Sequence, residues 1–437
     1  MLKHLFKIIW TERKVNAWIL VELILAFAIL WFCCDYLLYS TQKLLEPKGF
    51  NTEHTYIIDI WNEDEGLFED IDYEEMEEEE FNVGYTNART IVSNWSDAIW
   101  EIYDRIKRHP AVEHASLSLY ATPYAGSYAG NTFWFDSISF GAQIKKVTPE
   151  FFDVYQIDIL KGRKFNETDD ITENNIIISG AQDNIYKKIN FLQIDTLLSY
   201  RKESKYNVIG VAEPTKRLEF ENYTPAVYLY LSKSDEQLIG ELSSFFREFS
   251  VRVKPEADKN FAESFLNDMQ SQLEIEPFFL ASVIPLKDRR SEYMQIGEYS
   301  NGFKSIYSIS AFLIINIVLC VMGTFWLRIQ SRRSNIGLRM ALGASKRSIQ
   351  VFFLVETLLL LFLASIVAFL LCININEILS EILKEIELPI IGRSEFGAYI
   401  SNYLITFFIM AIIAALSVWY PAKKASDIQP VEALREE

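Results

Sequence analysis

RRSNIGLRMALGASKRSIQ, residues Arg332–Gln350, is the stretch from which the rest of the chain can be placed. It carries Arg332, Arg333, Arg339, Lys346 and Arg347, holds no Asp or Glu, and lies between two apolar runs long enough to cross a bilayer. A basic loop joining two spans stays on the cytoplasmic side, because Lys and Arg beside a span resist translocation. Inside it, Asn335–Leu342 pairs Ile336 with Met340 and Leu338 with Leu342 at four-residue spacing, which suits a short helix lying along a surface. The same residues also alternate as a strand would, so both readings stand. Gly343 can end such a helix and Ser345 can cap the next.

Working outward, half of the 437 residues are apolar, and they are clumped rather than spread. Ile306–Leu327 and Ala398–Tyr420 contain no charged residue, and Ser348–Ile375 contains only Glu356. Each exceeds the roughly 20 residues that a helix needs to cross about 30 Å of hydrocarbon. Ala17–Tyr39 carries Glu22 and Asp35 near its ends, from where a charged group can reach the interface, and is counted as a fourth span. Upstream, Leu2, Leu5, Phe6, Ile9 and Trp10 share one helical face among Lys3, Lys7, Arg13 and Lys14, as in an amphipathic helix on the inner membrane surface. A cleavable signal is the rival, but no small-x-small cleavage site follows.

Lys and Arg beside the spans set the orientation. The N-terminal tail has four and the segment from Arg328 to Arg347 has six, whereas 374–397 has five Glu against Lys384 and Arg393. Both termini are therefore expected inside and residues 40–301 outside. The expected plan is an N-terminal helix over 1–16, spans over 17–39, 302–328, 347–375 and 398–420, an inner loop over 329–346, an outer loop over 376–397 and an inner tail over 421–437. The fold class is an α+β integral membrane protein with a large α/β domain between its first two spans.

The outer segment repeats one order twice. Thr55–Trp61 reads as a strand, Ser93–Arg108 as a helix with Ile99, Ile102, Tyr103 and Ile106 on one face, and Val112–Tyr120 as a strand. Glu248–Lys254, a helix aligning Phe261, Phe265, Leu266, Met269 and Leu273, and Phe278–Ile284 repeat it. Two β-α-β units predict a ferredoxin-like subdomain split over about 55–120 and 246–285. The insert, about 131–245, shows strands at Phe133–Phe140, Ile176–Ser179, Asn207–Val211 and Ala226–Leu231, with a short helix opening at Thr148-Pro149-Glu150. Asp288–Arg328 reads as one helix interrupted only by Gly302. At about 1.5 Å per residue it would run about 60 Å, twice the hydrocarbon thickness, and its outer half would form a stalk.

Few residues invite chemistry. The net charge of −17, much of it in Glu74–Glu80 and its neighbours, argues against a nucleic-acid partner. The acidic run 63–80 lacks the spacing and central Gly of a calcium loop and reads as a solvated insert. Cys33, Cys34, Cys320 and Cys372 all fall in spans, leaving the outer domain no disulfide or zinc framework. His4, His54, His109 and His114 lack metal-ligand spacing, no GxSxG appears, and no GxxxxGK[ST] loop is present to bind ATP. Glu22 and Glu356, inside the inner leaflet, read as snorkelling groups or as partners of Arg13 or Arg347; a proton or substrate site is the alternative.

Basic residues, Ile336-Gly337, Arg339, Ala341, Gly343-Ala344, more basic residues and an apolar helix with Glu356 together resemble the cytoplasmic loop of FtsX-like, MacB-type ABC transporter permeases. Tyr420-Pro421-Ala422-Lys423-Lys424-Ala425 and Pro430-Val431-Glu432-Ala433-Leu434-Arg435 are similar to that family's terminal signature, placing the permease region at about 302–437. Family members commonly carry an acid where this chain has Asn335. The resemblance implies a bacterial inner-membrane subunit whose periplasmic domain is MacB-like and which is not itself an enzyme. MacB-type members fuse an ATPase into the same chain. Here the resemblance implies a separate ABC ATPase that holds ATP and Mg, docked on Asn335, Ile336, Gly337, Leu338, Arg339, Met340, Ala341, Leu342 and Gly343. It also implies a dimer with a second permease copy or paralogue, membrane lipid around the spans, no cofactor in this chain, and a periplasmic adaptor and outer-membrane duct if the role is export. Lipoprotein release, or FtsX-type signalling to a cell-wall hydrolase, is the alternative.

Overall fold

The computed structural model describes residues 11, 13–62, 95–126, 128–135, 138–169, 174–179, 197–200, 204–219, 222–233, 246–296, 299–383 and 396–427. The acidic run 63–80, residues 1–10 of the N-terminal helix, most of the loop over 376–397 and the terminal Pro430–Arg435 signature lie outside them. In chain order the described elements are α1 (Arg13–Leu45), β1 (Thr55–Asn62), α2 (residues 95–107), β2 (Val112–Leu119), β3 (Ala129–Phe135) and β4 (Ile138–Val147). Next come α3 (Phe151–Val154), β5 (Ile159–Gly162), β6 (Asn175–Ser179), β7 (Leu197–Tyr200), β8 (Ser204–Ala212), β9 (Ala226–Tyr230), β10 (Arg247–Val253), α4 (Phe261–Met269) and β11 (Phe278–Pro285). The chain closes with α5 (Leu286–Ile296), α6 (Tyr299–Ser331), α7 (Arg333–Ala341), α8 (Lys346–Leu383) and α9 (Phe396–Ser426). Two compact units result, one of residues 1–45 and 300–437 and the other of residues 46–299.

In the first unit, four helices are long and apolar enough to cross a membrane, over Asn16–Leu45, Lys304–Ser331, Lys346–Ile378 and Tyr399–Lys424. Helices are the element such sequences must form, since hydrocarbon offers the backbone no other hydrogen-bond partner. Phe27, Trp31, Leu360, Leu361, Ala364, Ala368 and Ala414 are buried where α1, α8 and α9 meet, and the three alanines let the backbones approach. Trp31 stacks on Tyr399, and Asn402 Nδ2 donates to Trp31 O at 3.2 Å and to Asp35 Oδ1 at 3.3 Å. Asp35, an ionisable residue inside a span, is thereby given a donor. α6 contributes Ile317, Val321, Phe325 and Ile329 to the core and leaves Tyr307, Phe312, Ile315 and Leu319 exposed. The helix read over Asp288–Arg328 is two elements here, α5 and α6, with residues 297–298 outside the described ones.

The second unit is built on one sheet. Its ferredoxin-like part has the order β11-β1-β10-β2 with every neighbouring pair antiparallel. α2 and α4 cover one face, because Ile99, Ile102 and Ile106 of α2 and Phe261, Phe265 and Met269 of α4 bury against Ile58, Leu117, Phe249 and Val251. The sheet then continues from β2 into β4 through a ladder of two pairs, Ser118↔Val147 and Leu119↔Lys146. The inserted, mostly-β part is joined to the first part by this backbone pairing. Within it, β4-β3-β7-β8-β6-β9 returns to β4, as β9 pairs β4 in parallel over Gln143↔Ala226 to Val147↔Tyr230. The six strands close a ring around Phe133, Phe140, Ile176, Ile178, Val208, Val211 and Val227, with β5 pairing β8 outside it.

The stretch Phe133–Phe140, expected as one strand, belongs to the two arms of a hairpin in which Phe133 pairs with Phe140 itself. Their aromatic bulk suits either reading, and the register carries the pairing on to Phe135↔Ile138. A third core joins the parts: Ile57 of β1, Phe151, Phe152 and Tyr155 at α3, Tyr228 of β9 and Leu286 of α5 are all buried in it.

Candidate functional site

α6 ends at Ser331, Arg332 stands at the turn, and α7 begins at Arg333. Of the two readings open for Asn335–Leu342, the chain takes the helix. Its end is a Schellman arrangement: Ala344 N donates to Arg339 O and Gly343 N to Met340 O, both at 3.0 Å. That motif needs a residue with positive φ, and Gly343 supplies it at +97°. Ser345 then caps α8, its Oγ accepting from Ser348 N at 3.2 Å. Both turns are thus fixed by side chains and backbone in the 342–348 segment.

α7 has two unlike faces. Ile336 and Gly337 are buried, Met340 is half-buried in the core of the first unit, and the Arg339 guanidinium lies 4.3 Å from the Phe352 ring centroid on α8. On the other side Leu338 is 51% and Leu342 80% exposed, with Ala341 and Gly343 exposed beside them. Asn335 lies in the first half of the same helix. The nine residues expected at the docking site therefore form one helix and its cap, but only part of that set faces outward.

Behind α7 sits an ion cluster. Glu356 on α8 is fully buried; its Oε1 accepts from Arg328 Nη2 at 2.7 Å, and both of its oxygens accept from Arg332 Nη1 at 3.0 Å. This corrects the expected pairing with Arg347. Arg328 and Arg332 are four residues apart and project together from the α6–α7 junction, whereas Arg347, nine residues before Glu356 on the same helix, is exposed. A buried charge costs several kcal/mol unless paired, and two guanidiniums meet that need here. Glu22 has a different environment, with Oε2 accepting from Thr324 Oγ1 at 2.8 Å. The end of α9 also contributes: Lys346 Nζ pairs with Asp427 Oδ1 at 2.7 Å, Gln350 donates to Ser426 Oγ at 2.9 Å, and Trp326 of α6 stacks on Tyr420. No group of three or more metal-ligating side chains occurs among the described residues.

Residues 307–430 match the FtsX-like permease C-terminal family, and residues 68–266 match the MacB-like periplasmic core domain. The chain belongs to the MacB/FtsX-like ABC permeases. The permease is 24% identical over 324 residues to a protein of Neisseria meningitidis serogroup A named macrolide export ATP-binding/permease protein MacB, covering 72% of this chain and 47% of that one. It is 25% identical over 348 residues to the uncharacterized ABC transporter permease YvrN of Bacillus subtilis, covering 77% and 79%. The chain thus spans about half the length of the MacB relatives it matches. Among solved structures, the periplasmic region of MacB from Actinobacillus actinomycetemcomitans aligns at 15% identity and a TM-score of 0.34, covering 57% of this chain and 97% of that one. A membrane protein with a periplasmic-type domain between its first two spans follows from the family and the four apolar helices.

Proposed function

We propose that this permease converts ATP binding and hydrolysis by a separate ABC ATPase into movement of its outer domain, in the service of export. The observation that carries the proposal is the split character of α7. Its inner face is held by Ile336, Arg339 and the Glu356 cluster, while Leu338 and Leu342 stand outward as an apolar pair. A helix so held transmits a push to α6 and α8 instead of yielding to it. With α7 in the cytoplasm, both termini lie inside and the domain over 46–299 faces the periplasm. The ATPase holds ATP and Mg, and this chain holds no cofactor. The permease works as a dimer in its lipid bilayer, with a periplasmic adaptor and outer-membrane duct receiving the cargo.

The test is co-purification with the cognate ATPase. Full burial of one Leu contributes about 1.5–3 kcal/mol, and tenfold in affinity is about 1.4 kcal/mol. Leu338→Asp with Leu342→Asp should therefore weaken ATPase capture at least tenfold while leaving thermal unfolding of the permease unchanged. Undiminished capture, or no ATPase partner at all, overturns the proposal.

A further inference from the structure

The outer unit gathers the residue run just after α1 and the helix just before α6 onto a single loop. Glu46, Pro47, Lys48 and Gly49 follow α1 directly, α5 precedes α6, and the loop is the β8–β9 connection, described over 213–219 and 222–225. Lys216 has 1% of its surface exposed, pairs through Nζ with Glu46 Oε2 at 2.7 Å, and donates its backbone N–H to Lys48 O at 2.9 Å. Its ammonium also lies 5.2 Å from the Tyr223 ring centroid, and Tyr223 Oη donates to Pro47 O at 2.5 Å. Gly49, at φ +77°, lies so close to Pro214 O that a Cβ there would overlap it.

Three residues on from Lys216, Glu219 is 5% exposed. Its Oε1 accepts from Lys48 Nζ at 2.5 Å, Tyr124 Oη at 3.1 Å and Arg290 Nε at 2.8 Å, and its Oε2 accepts from Arg290 Nη2 at 2.5 Å. The Arg290 contact is a two-pronged fork, the geometry that most restricts the relative movement of the two groups. Burial alone would raise the Glu219 carboxyl; the hydrogen bonds from Arg290 and Lys48 overcome it and hold the group below the usual carboxylate range. The Arg290 guanidinium is raised in turn, chiefly by Glu219. One carboxylate thus grips the exit from the first span with Lys48 and the approach to the second with Arg290.

We infer that the Lys216–Glu219 loop is a clasp through which displacement of either of the first two spans is delivered to the six-stranded ring, with Glu219 the positioning residue that makes the two inputs act together. The inference rests on the mechanical reading above and adds to it the point of entry. Surface ion pairs hold little, but here the carboxylate is buried, its contact with the half-exposed Arg290 is bidentate, and it is shared among Lys48, Tyr124 and Arg290.

The experiment uses the permease with its ATPase in lipid nanodiscs. Spin labels are placed at Lys205→Cys on β8 and Lys304→Cys on α6, with Cys33, Cys34, Cys320 and Cys372 replaced by Ala, and the interlabel distance is read with and without ATP. Glu219→Gln removes the shared charge; Arg290→Lys keeps the charge but loses the fork, and serves if the first variant does not fold. The expected result is a nucleotide-dependent distance change in the parent that falls by more than half in the variants, while ATP hydrolysis stays within twofold. A change that persists in the variants overturns the clasp and leaves the mechanical reading standing. Loss of hydrolysis together with the distance change also overturns it, because that marks a folding role. No change in the parent overturns the mechanical reading, and the clasp with it.

Discussion

Replacing Glu356 by Gln removes one negative charge from behind α7 and almost no volume. The parent side chain is fully buried, and its partners Arg328 and Arg332 keep only 2% and 11% of their side chains exposed. The amide can still accept a hydrogen bond but carries no charge, so both buried guanidiniums lose the carboxylate they share. Breaking a buried pair from one side costs about 3–5 kcal/mol, whereas replacing all members by apolar groups of similar size is about neutral or stabilising. The insertion cost of a lone Arg at a helix centre, about 2.5–3.5 kcal/mol, points to the same range. Glu356→Gln should therefore lower the unfolding free energy of the spans by about 3–5 kcal/mol, and Arg328→Met/Arg332→Met/Glu356→Met should recover most of it. Reversible unfolding in mixed micelles measures both, and trypsin cleavage after Arg339 should quicken in the single variant as α7 loosens. A single variant within about 1 kcal/mol of the parent, or a triple variant worse than the single, would refute the reasoning.

Three further outcomes are expected. Gly343→Ala, at φ +97° with open space around a Cβ, should weaken the α7 cap by about 1 kcal/mol through backbone strain alone, seen as faster amide exchange over 336–344. Gly49→Ala adds overlap with Pro214 to its strain, so in the intact chain it should destabilise the outer unit more than Gly343→Ala destabilises the spans, a ranking that thermal unfolding of the two variants decides. Lys145 is fully enclosed beside Thr215 and Tyr228, and burial pushes its ammonium down from 10.5 to about 8. The penalty for enclosing that charge is complete below about pH 8 and is relieved as pH rises toward 10.5, since the folded state sheds the proton first. Relative to Lys145→Met, the parent should gain on the order of 3 kcal/mol across that window, and parallel stability curves would contradict it.

What could be seen in the sequence was what local pattern encodes. Uninterrupted apolar runs name spans whatever their neighbours, and the two β-α-β units declare themselves through Ile99-Ile102-Ile106 and Phe261-Phe265-Met269. The split faces of α7 are partly legible, since Ile336/Met340 and Leu338/Leu342 stand at four-residue spacing, but which pair faces inward depends on where Phe352 and the other helices stand. Glu356 shows the limit most clearly. Arg347 is nearer to it in sequence, yet Arg328, 28 residues away, is a partner because the end of α6 comes within hydrogen-bond distance of Glu356 on α8. Ring closure by β4 and β9 and the Arg290 fork on Glu219, 71 residues apart, are long-range pairings with no periodic signature.

The closed ring has a mechanical corollary. An open sheet under shear peels from its free border one bond at a time, but a circuit of six strands has no border at which peeling can start, so load must break a whole ladder at once. The shortest ladder in the ring, between β3 and β7, has two pairs, as does the one that joins β2 to β4. Load reaching this part of the protein should accordingly be felt first at those two short ladders, one within the ring and one where the ring meets the ferredoxin-like strands.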